Sequence, residues 1–262
     1  GEGTLTFGAR RSDEAHAAAD GRGGNGSGDG SDDVDVGGDG AGDTVHGAGF
    51  LDFELHGPGL RTYANGDSYE GELAGPAMLP NGRGTRLYAD GGSLEGHFAD
   101  GEAEGEARLT SAAGDVYEGP VRRSLPSGYG TWVGSDGARF EGEFERGARH
   151  GSGRLIQADG ATIDGHWRNG LLDGRAEVVS ADGARYAGDF VAGKRDGHGM
   201  ARRADGSMYD GQWRANEPHG EGAWIAPASV AAGRPAAAPG AAVPGADTDG
   251  STGAAFEFDP PT

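Results

Sequence analysis

The chain has 262 residues, of which 55 are glycine and only 35% are hydrophobic, a composition that does not fit an ordinary globular domain. So much glycine indicates either low-complexity disorder or a repeat that requires glycine at fixed positions. Its 22 basic and 42 acidic residues give a net charge of −20, which disfavours nucleic acid and anionic membranes and favours a basic protein surface as partner. The chain contains no cysteine, which excludes disulfides and cysteine-based zinc sites.

The first forty residues precede the regular part of the chain. Residues 1–7 match the second strand of a partial repeat, and residues 8–40 are a Gly/Asp-rich insertion that we expect to be disordered. Asp33-Val-Asp35 resembles the start of a calcium-binding loop, but Gly37 and Thr44 stand where further ligands belong. A solvated acidic loop is favoured over a weak calcium site.

Residues 41–226 form a tandem repeat of 23 residues. One copy contains an alternating apolar and acidic segment, a turn glycine, a Gly-x-Gly element and an Asp-Gly pair: Phe140-Glu-Gly-Glu-Phe144, Gly147, His150-Gly-Ser-Gly153 and Asp159-Gly160. Equally spaced copies begin at Leu94, Tyr117, Phe140, Ile163, Tyr186 and Tyr209, and two earlier ones begin at Val45 and Tyr69. Glycine in the third place of all six equally spaced copies is not a chance pattern.

Each copy predicts a β-hairpin. Because side chains alternate along a strand, positions one and five form an apolar face and positions two and four an acidic one. The Asp-Gly or Asn-Gly pairs are two-residue turn signals. One hairpin is marginal alone, so the predicted architecture is all-β: an elongated antiparallel sheet of stacked hairpins, about 9–10 Å per repeat.

This pattern resembles the MORN repeat family, over about eight copies between residues 45 and 226. The resemblance implies that the His-Gly-x-Gly element forms a turn, with a structural role for His56, His150 and His219. The resemblance implies a non-enzymatic protein–protein interaction scaffold in a cytoskeletal, ciliary or cortical assembly, with a cytoplasmic location. It also leaves two alternatives: a module that binds phospholipid or a membrane surface, and a regulatory array of a larger enzyme. Such arrays accompany lipid kinase and lysine methyltransferase domains, and that catalytic domain would lie outside this chain.

The candidate partner-binding residues are five aromatic side chains and two carboxylates. A core ladder is the default interpretation of the rings, but an open sheet could expose some of them as a groove. The neighbouring acids favour a basic or amphipathic helix or peptide as the partner. The residues are Trp132, Phe144, Trp167, Phe190 and Trp213, with Glu141 and Glu143.

The remaining expectations concern charge and the ends of the array. Residues 45–226 carry 18 basic and 28 acidic residues, which disfavours lipid binding, although the pairs Arg122/Arg123, Arg202/Arg203 and Lys194/Arg195 keep that hypothesis open. No catalytic residue, metal site or cofactor is predicted. Residues 227–262 form a flexible Ala/Pro/Gly-rich tail, and unpaired terminal strands could join two copies into a homodimer.

Overall fold

The structure, a computed structural model, describes residues 33–34, 43–47, 49–51 and 54–227, all within the compact unit Asp32–Thr262. These residues form nineteen strands, and the described part of the chain contains no helix. The strands are β1 (Asp33–Val34), β2 (Thr44–His46), β3 (Gly49–Leu51), β4 (Glu54–Thr62), β5 (Ser68–Ala74), β6 (Leu79–Leu87), β7 (Ser93–Ala99), β8 (Glu102–Thr110), β9 (Val116–Arg122), β10 (Leu125–Pro126), β11 (Gly128–Val133), β12 (Arg139–Glu145), β13 (Ala148–Ile156), β14 (Thr162–Arg168), β15 (Leu171–Val179), β16 (Arg185–Val191), β17 (Lys194–Arg202), β18 (Met208–Arg214) and β19 (Glu217–Ile225).

The strands pair antiparallel in chain order and build one open sheet. From β4 to β9 and from β11 to β19 each strand pairs with the next, and both β10 and β11 pair with β9. Seven-residue strands that carry the alternating segment are followed by nine-residue strands, except where β10 and β11 replace one of them. The predicted sheet of stacked hairpins is confirmed.

Two kinds of turn close the hairpins. At the predicted Asp-Gly turn, the Asp159 carboxylate accepts a hydrogen bond from the Ala161 amide at 2.9 Å, and Gly160 has φ +89°. At the other end, Asn169 and Gly170 both have positive φ, 50° and 83°, as a two-residue type I′ turn requires. This second turn was visible in the sequence only as a recurrent glycine.

The Gly-x-Gly element is not a turn, contrary to the sequence interpretation. His150 lies inside β13 and pairs with Glu143 of β12, while Gly153 pairs with Gly142. Between these pairs, two residues of β13 have no partner on β12, which is a β-bulge. The bulge recurs in the other complete hairpins of the array.

The core lies on the face that positions one and five share, as predicted. The side chains at these positions, from Tyr69 to Trp213, are 0–5% exposed. The first ring of a repeat lies across a pair of cross-strand glycines: a Cβ added at Gly142 would be 2.8 Å from Phe140 Cζ, and one added at Gly153 would lie closer still to that atom. Glycine here makes room for a ring rather than for an unusual backbone conformation.

A substitution pattern supports this packing. In the seven repeats that begin at Tyr69 through Tyr209, an aromatic first residue always has glycine in the second strand opposite the third position. The five aromatic cases are Tyr69 with Gly84, Tyr117 with Gly130, Phe140 with Gly153, Tyr186 with Gly199 and Tyr209 with Gly222. The two aliphatic cases, Leu94 and Ile163, have Ala107 and Ala176 instead, so a methyl group occupies the space that a ring takes elsewhere.

Two arginines pack against tryptophan rings of the core. The Arg149 guanidinium lies 4.6 Å from the Trp167 ring centroid, and that of Arg195 lies 4.6 Å from the Trp213 centroid. Burial lowers the pKa of Arg149 to about 10, and its Nη1 atom is buried without a hydrogen-bond partner among the described residues. Stacking on rings is thus the main compensation for these desolvated cations.

The predictions for the two ends fall largely outside the described residues. Residues 1–7, most of the insertion 8–40 and the tail beyond 227 lie there. Within the insertion, Asp33 and Val34 differ from the predicted disorder, because they form β1 and pair with His46 and Val45 of β2.

Candidate protein-binding face

The five aromatic candidates belong to the core. Their exposed fractions are 5% for Trp132, Phe144 and Trp167 and 2% for Phe190 and Trp213. Trp167 and Trp213 also use their indole N–H groups internally, donating to Gly153 O at 3.1 Å and Gly199 O at 2.9 Å. The open aromatic groove considered from the sequence is therefore not present at these rings. A contact between them and a partner stays a prediction, and the described structure gives it no exposed ring surface.

The opposite face carries a regular line of acids. At position two of five consecutive repeats stand Glu70, Glu95, Glu118, Glu141 and Asp164, here called the carboxylate row. They lie on β5, β7, β9, β12 and β14, and one residue of an intervening strand separates each from the next: Thr85, Arg108, Thr131 and Arg154. The row thus crosses the strands at a spacing fixed by the sheet.

The predicted residue Glu141 belongs to this row, whereas Glu143 has a largely structural role. Glu141 is paired with Arg139 on its own strand, and both side chains are nearly half exposed. The Glu143 carboxylate accepts a hydrogen bond from Ser152 N at 3.1 Å and so satisfies an amide of the β-bulge. Asp189 does the same for His198 N two repeats later, at 3.1 Å.

The face as a whole is negative. Each strand of the array from β4 to β19 except β10 has a central glycine, or alanine at Ala107 and Ala176, and the residues just before and after it point to this face. Of these thirty residues, twelve are Asp or Glu and four are Arg. Of the row, Glu118 is 2.6 Å from Arg108, and both side chains are more than half exposed, so the pair is weak. Glu70, Glu95 and Asp164 form no ion pair with any other described residue.

The face contains two shallow troughs, of about 910 Å³ and 560 Å³. The larger one runs over Gly71, Gly84 and Gly96 and is lined by Glu70, Glu95 and Glu118. The smaller one lies between Asp164 and Asp210.

Between the troughs, the sequence reasoning missed Tyr129. This side chain is 67% exposed on β11, opposite Glu143. Its position next to Gly130, where other repeats carry charged or polar residues, was the available signal.

The basic clusters that favoured lipid binding are partly unavailable to a membrane. Arg195 is only 7% exposed and stacks on Trp213, and the Arg203 guanidinium lies 4.7 Å from the Trp224 ring centroid. Arg122, Arg123, Lys194 and Arg202 stay exposed. Two of the six cations are therefore stacked on tryptophan rings.

No group of three His, Asp or Glu side chains among the described residues could hold a metal ion. Within the same residues there is no helix long and apolar enough to span a bilayer.

A sequence profile of the MORN repeat matches eight segments that cover more than half of the chain: residues 54–68, 79–93, 95–116, 117–139, 140–162, 164–185, 186–208 and 209–225. No curated protein matches the sequence.

Among solved structures, the chain is similar to the TCP domain of SAS-4 (dCPAP) of Drosophila melanogaster, solved in complex with a proline-rich motif of Ana2 (dSTIL), with 16% identity and a TM-score of 0.33 over 68% of this chain and 93% of that chain. It is also similar to the TCP10 domain of Danio rerio CPAP, with 10% identity and a TM-score of 0.29 over 63% of this chain and 88% of that chain. Scores at this level do not establish a common overall fold, so neither likeness carries a conclusion about function.

Proposed function

The chain belongs to the MORN repeat family, and from this premise we propose that it is a non-enzymatic scaffold whose acidic face docks a basic segment of a partner protein. The carboxylate row carries the proposal, because five consecutive repeats present an acid at the same exposed or half-exposed position. The cytoskeletal, ciliary or cortical setting inferred from the resemblance stays a prediction.

The charge distribution supports a basic partner in two ways. Glu70, Glu95 and Asp164, which form no ion pair with any other described residue, attract a cationic segment at long range and raise its rate of association. Once the segment is bound, each of its cations can replace a water-exposed internal partner such as Arg108 at little cost, because exposed ion pairs contribute only about 0–1 kcal/mol.

The lipid alternative has weaker support. Anionic headgroups recruit surfaces with an excess of positive charge, at about 1 kcal/mol per exposed Lys or Arg. The described face has three times as many acids as arginines, and Arg195 and Arg203 are stacked on the rings of Trp213 and Trp224.

A charge-neutralisation experiment tests the proposal. The variant Glu70→Gln/Glu95→Gln/Asp164→Asn removes three unpaired charges from the carboxylate row. The control Asp90→Asn/Asp136→Asn/Asp159→Asn removes three charges from hairpin turns, where asparagine still accepts the turn hydrogen bond, as Asn65 does from the Asp67 amide at 3.0 Å. Both variants have the same net charge.

The readout is fluorescence anisotropy of a labelled lysine-rich peptide over a series of salt concentrations. We expect the row variant to bind about tenfold more weakly, with a shallower dependence on salt, and the turn variant to bind like the wild type. Equal weakening by both variants would mean that binding depends only on the net charge of the protein, and it would refute the carboxylate row as the site. Binding of the wild type to anionic vesicles but not to the peptide would favour the lipid alternative.

A further inference from the structure

The carboxylate row has a period that selects among partner conformations. Successive row residues lie two strands apart, as the cross-strand pairs Glu70–Thr85–Glu95 show. Neighbouring strands are about 4.8 Å apart, so the acids recur about every 9.6 Å across the sheet. A linear partner must present its cations at the same interval to engage several of them together.

Only one regular backbone conformation matches this interval. A polyproline II helix has three residues per turn and a rise of about 3.1 Å, so every third side chain points the same way at about 9.3 Å. An α-helix comes closest with seven residues, about 10.5 Å apart, and its contact face rotates by about 20° per heptad. A β-strand repeats its face every two residues, at about 6.7 Å, and falls out of step after one acid.

An exposed aromatic ring lies where such a helix would need one. Tyr129 belongs to β11, between the strands of Glu118 and Glu141, and it stands two residues along the strand from Thr131, which pairs with both acids. Its ring is 67% exposed. Prolines in polyproline II helices dock on aromatic surfaces, and the preformed helix loses little conformational entropy on binding.

The row also offers donors to the peptide backbone. A polyproline II helix makes no internal hydrogen bonds, so its carbonyl groups need outside partners. Arg108 lies between Glu95 and Glu118, and Arg154 lies between Glu141 and Asp164. Their guanidinium groups can donate to carbonyl oxygens while the acids receive the cations.

We propose that the partner segment is a polyproline II helix with a lysine or arginine at every third residue, lying across the strands along the carboxylate row with a proline on Tyr129. This inference rests on the proposed function, since it specifies the conformation and spacing of the basic segment.

The test compares peptides of equal charge on the intact chain. The matched peptide carries five lysines, each separated from the next by two prolines. A second peptide places the same five lysines in one block before the prolines, and a third keeps the spacing but replaces the prolines with glycine and serine. We expect the matched peptide to bind at least about tenfold more tightly than either of the others, because it alone aligns all its cations without an ordering cost.

Two variants separate this inference from the proposed function. Tyr129→Ala should weaken the matched peptide several-fold and leave the block and Gly/Ser peptides unchanged. The row variant Glu70→Gln/Glu95→Gln/Asp164→Asn should weaken all three. Equal affinity of the three peptides for the wild type, with loss in the row variant, would overturn the polyproline II inference and leave the acidic docking face standing. If none of the peptides bound, both would fall.

Discussion

The contact between Phe140 and the glycine pair beneath it gives a quantitative prediction. A Cβ added at Gly153 would lie 2.6 Å from Phe140 Cε2 and closer still to Cζ, whereas carbon atoms pack at about 3.5–4.0 Å. The ring cannot move aside freely, because it is fully buried and its centroid lies 5.2 Å from that of Phe144 and 5.4 Å from that of Trp167. Gly153→Ala should therefore destabilise the protein by about 1–3 kcal/mol through overpacking, slightly offset by the lower entropy of the unfolded chain.

The second half of this prediction is a rescue. Phe140→Leu alone should cost about 1–2 kcal/mol, because it leaves a void over Gly153. Combined with Gly153→Ala, it recreates the arrangement of Leu94 with Ala107, so the double variant should be at least about 1 kcal/mol more stable than the sum of the single changes. Equilibrium urea unfolding followed by tryptophan fluorescence measures all four proteins. Additivity within about 0.5 kcal/mol would refute the ring-on-glycine packing.

Three further predictions concern buried polar groups. Arg149→Met should leave the free energy of unfolding within about 1 kcal/mol of wild type, because it removes a desolvated cation and keeps the packing on Trp167. Arg149→Ala should lower the free energy of unfolding by about 2–4 kcal/mol, because it also removes that packing. Thermal and urea unfolding measure both variants. Burial raises the pKa of Tyr186 to about 12, above its ordinary value of 10.0. The contribution of Tyr186 to the free energy of unfolding should therefore be complete below pH 10 and be lost as the pH rises towards 12. Urea midpoints compared over this pH range should fall less in Tyr186→Phe than in the wild type. Asp115 accepts a hydrogen bond from the Ser135 amide of the next hairpin turn at 2.8 Å, so Asp115→Ala should cost about 1 kcal/mol and expose that amide to hydrogen exchange, while Asp115→Asn should retain protection.

Much of the fold could be predicted because the same 23-residue pattern recurs in every repeat. The alternation of apolar and acidic residues assigned both faces, and the Asp-Gly pairs located one turn of each hairpin. The His-Gly-x-Gly element was misplaced because glycine signals turns and β-bulges alike, and only the register distinguishes them. His150 shows this: its cross-strand partner Glu143 fixes it inside β13, and no local pattern indicates that pairing.

The candidate site was harder to predict than the fold. Aromatic residues such as Trp167 are enriched both in cores and in binding hot spots, so residue type alone could not decide between the two. The stacking of Arg149 on Trp167 was also invisible, because it joins positions whose distance depends on the sheet's register. The acidic face, in contrast, follows directly from positions two and four, and its regular spacing follows once the hairpins are known to stack.

The central glycines of the strands explain why the core and the proposed site lie on opposite faces of the sheet. Where the first residue of a repeat is aromatic, its ring lies over a pair of glycines, such as Gly142 and Gly153 beneath Phe140, and the core is built on one side of the sheet from residues of adjacent strands. The other side of the sheet does not pack against this core, so position two can be Glu or Asp in successive repeats. The row ends where this regularity ends: position two of the next repeat is Ala187, so an acid is missing after Asp164 until Asp210. A partner matched to the period should therefore gain affinity with each added cation up to five and gain little beyond, which a length series of the lysine–proline peptide would measure.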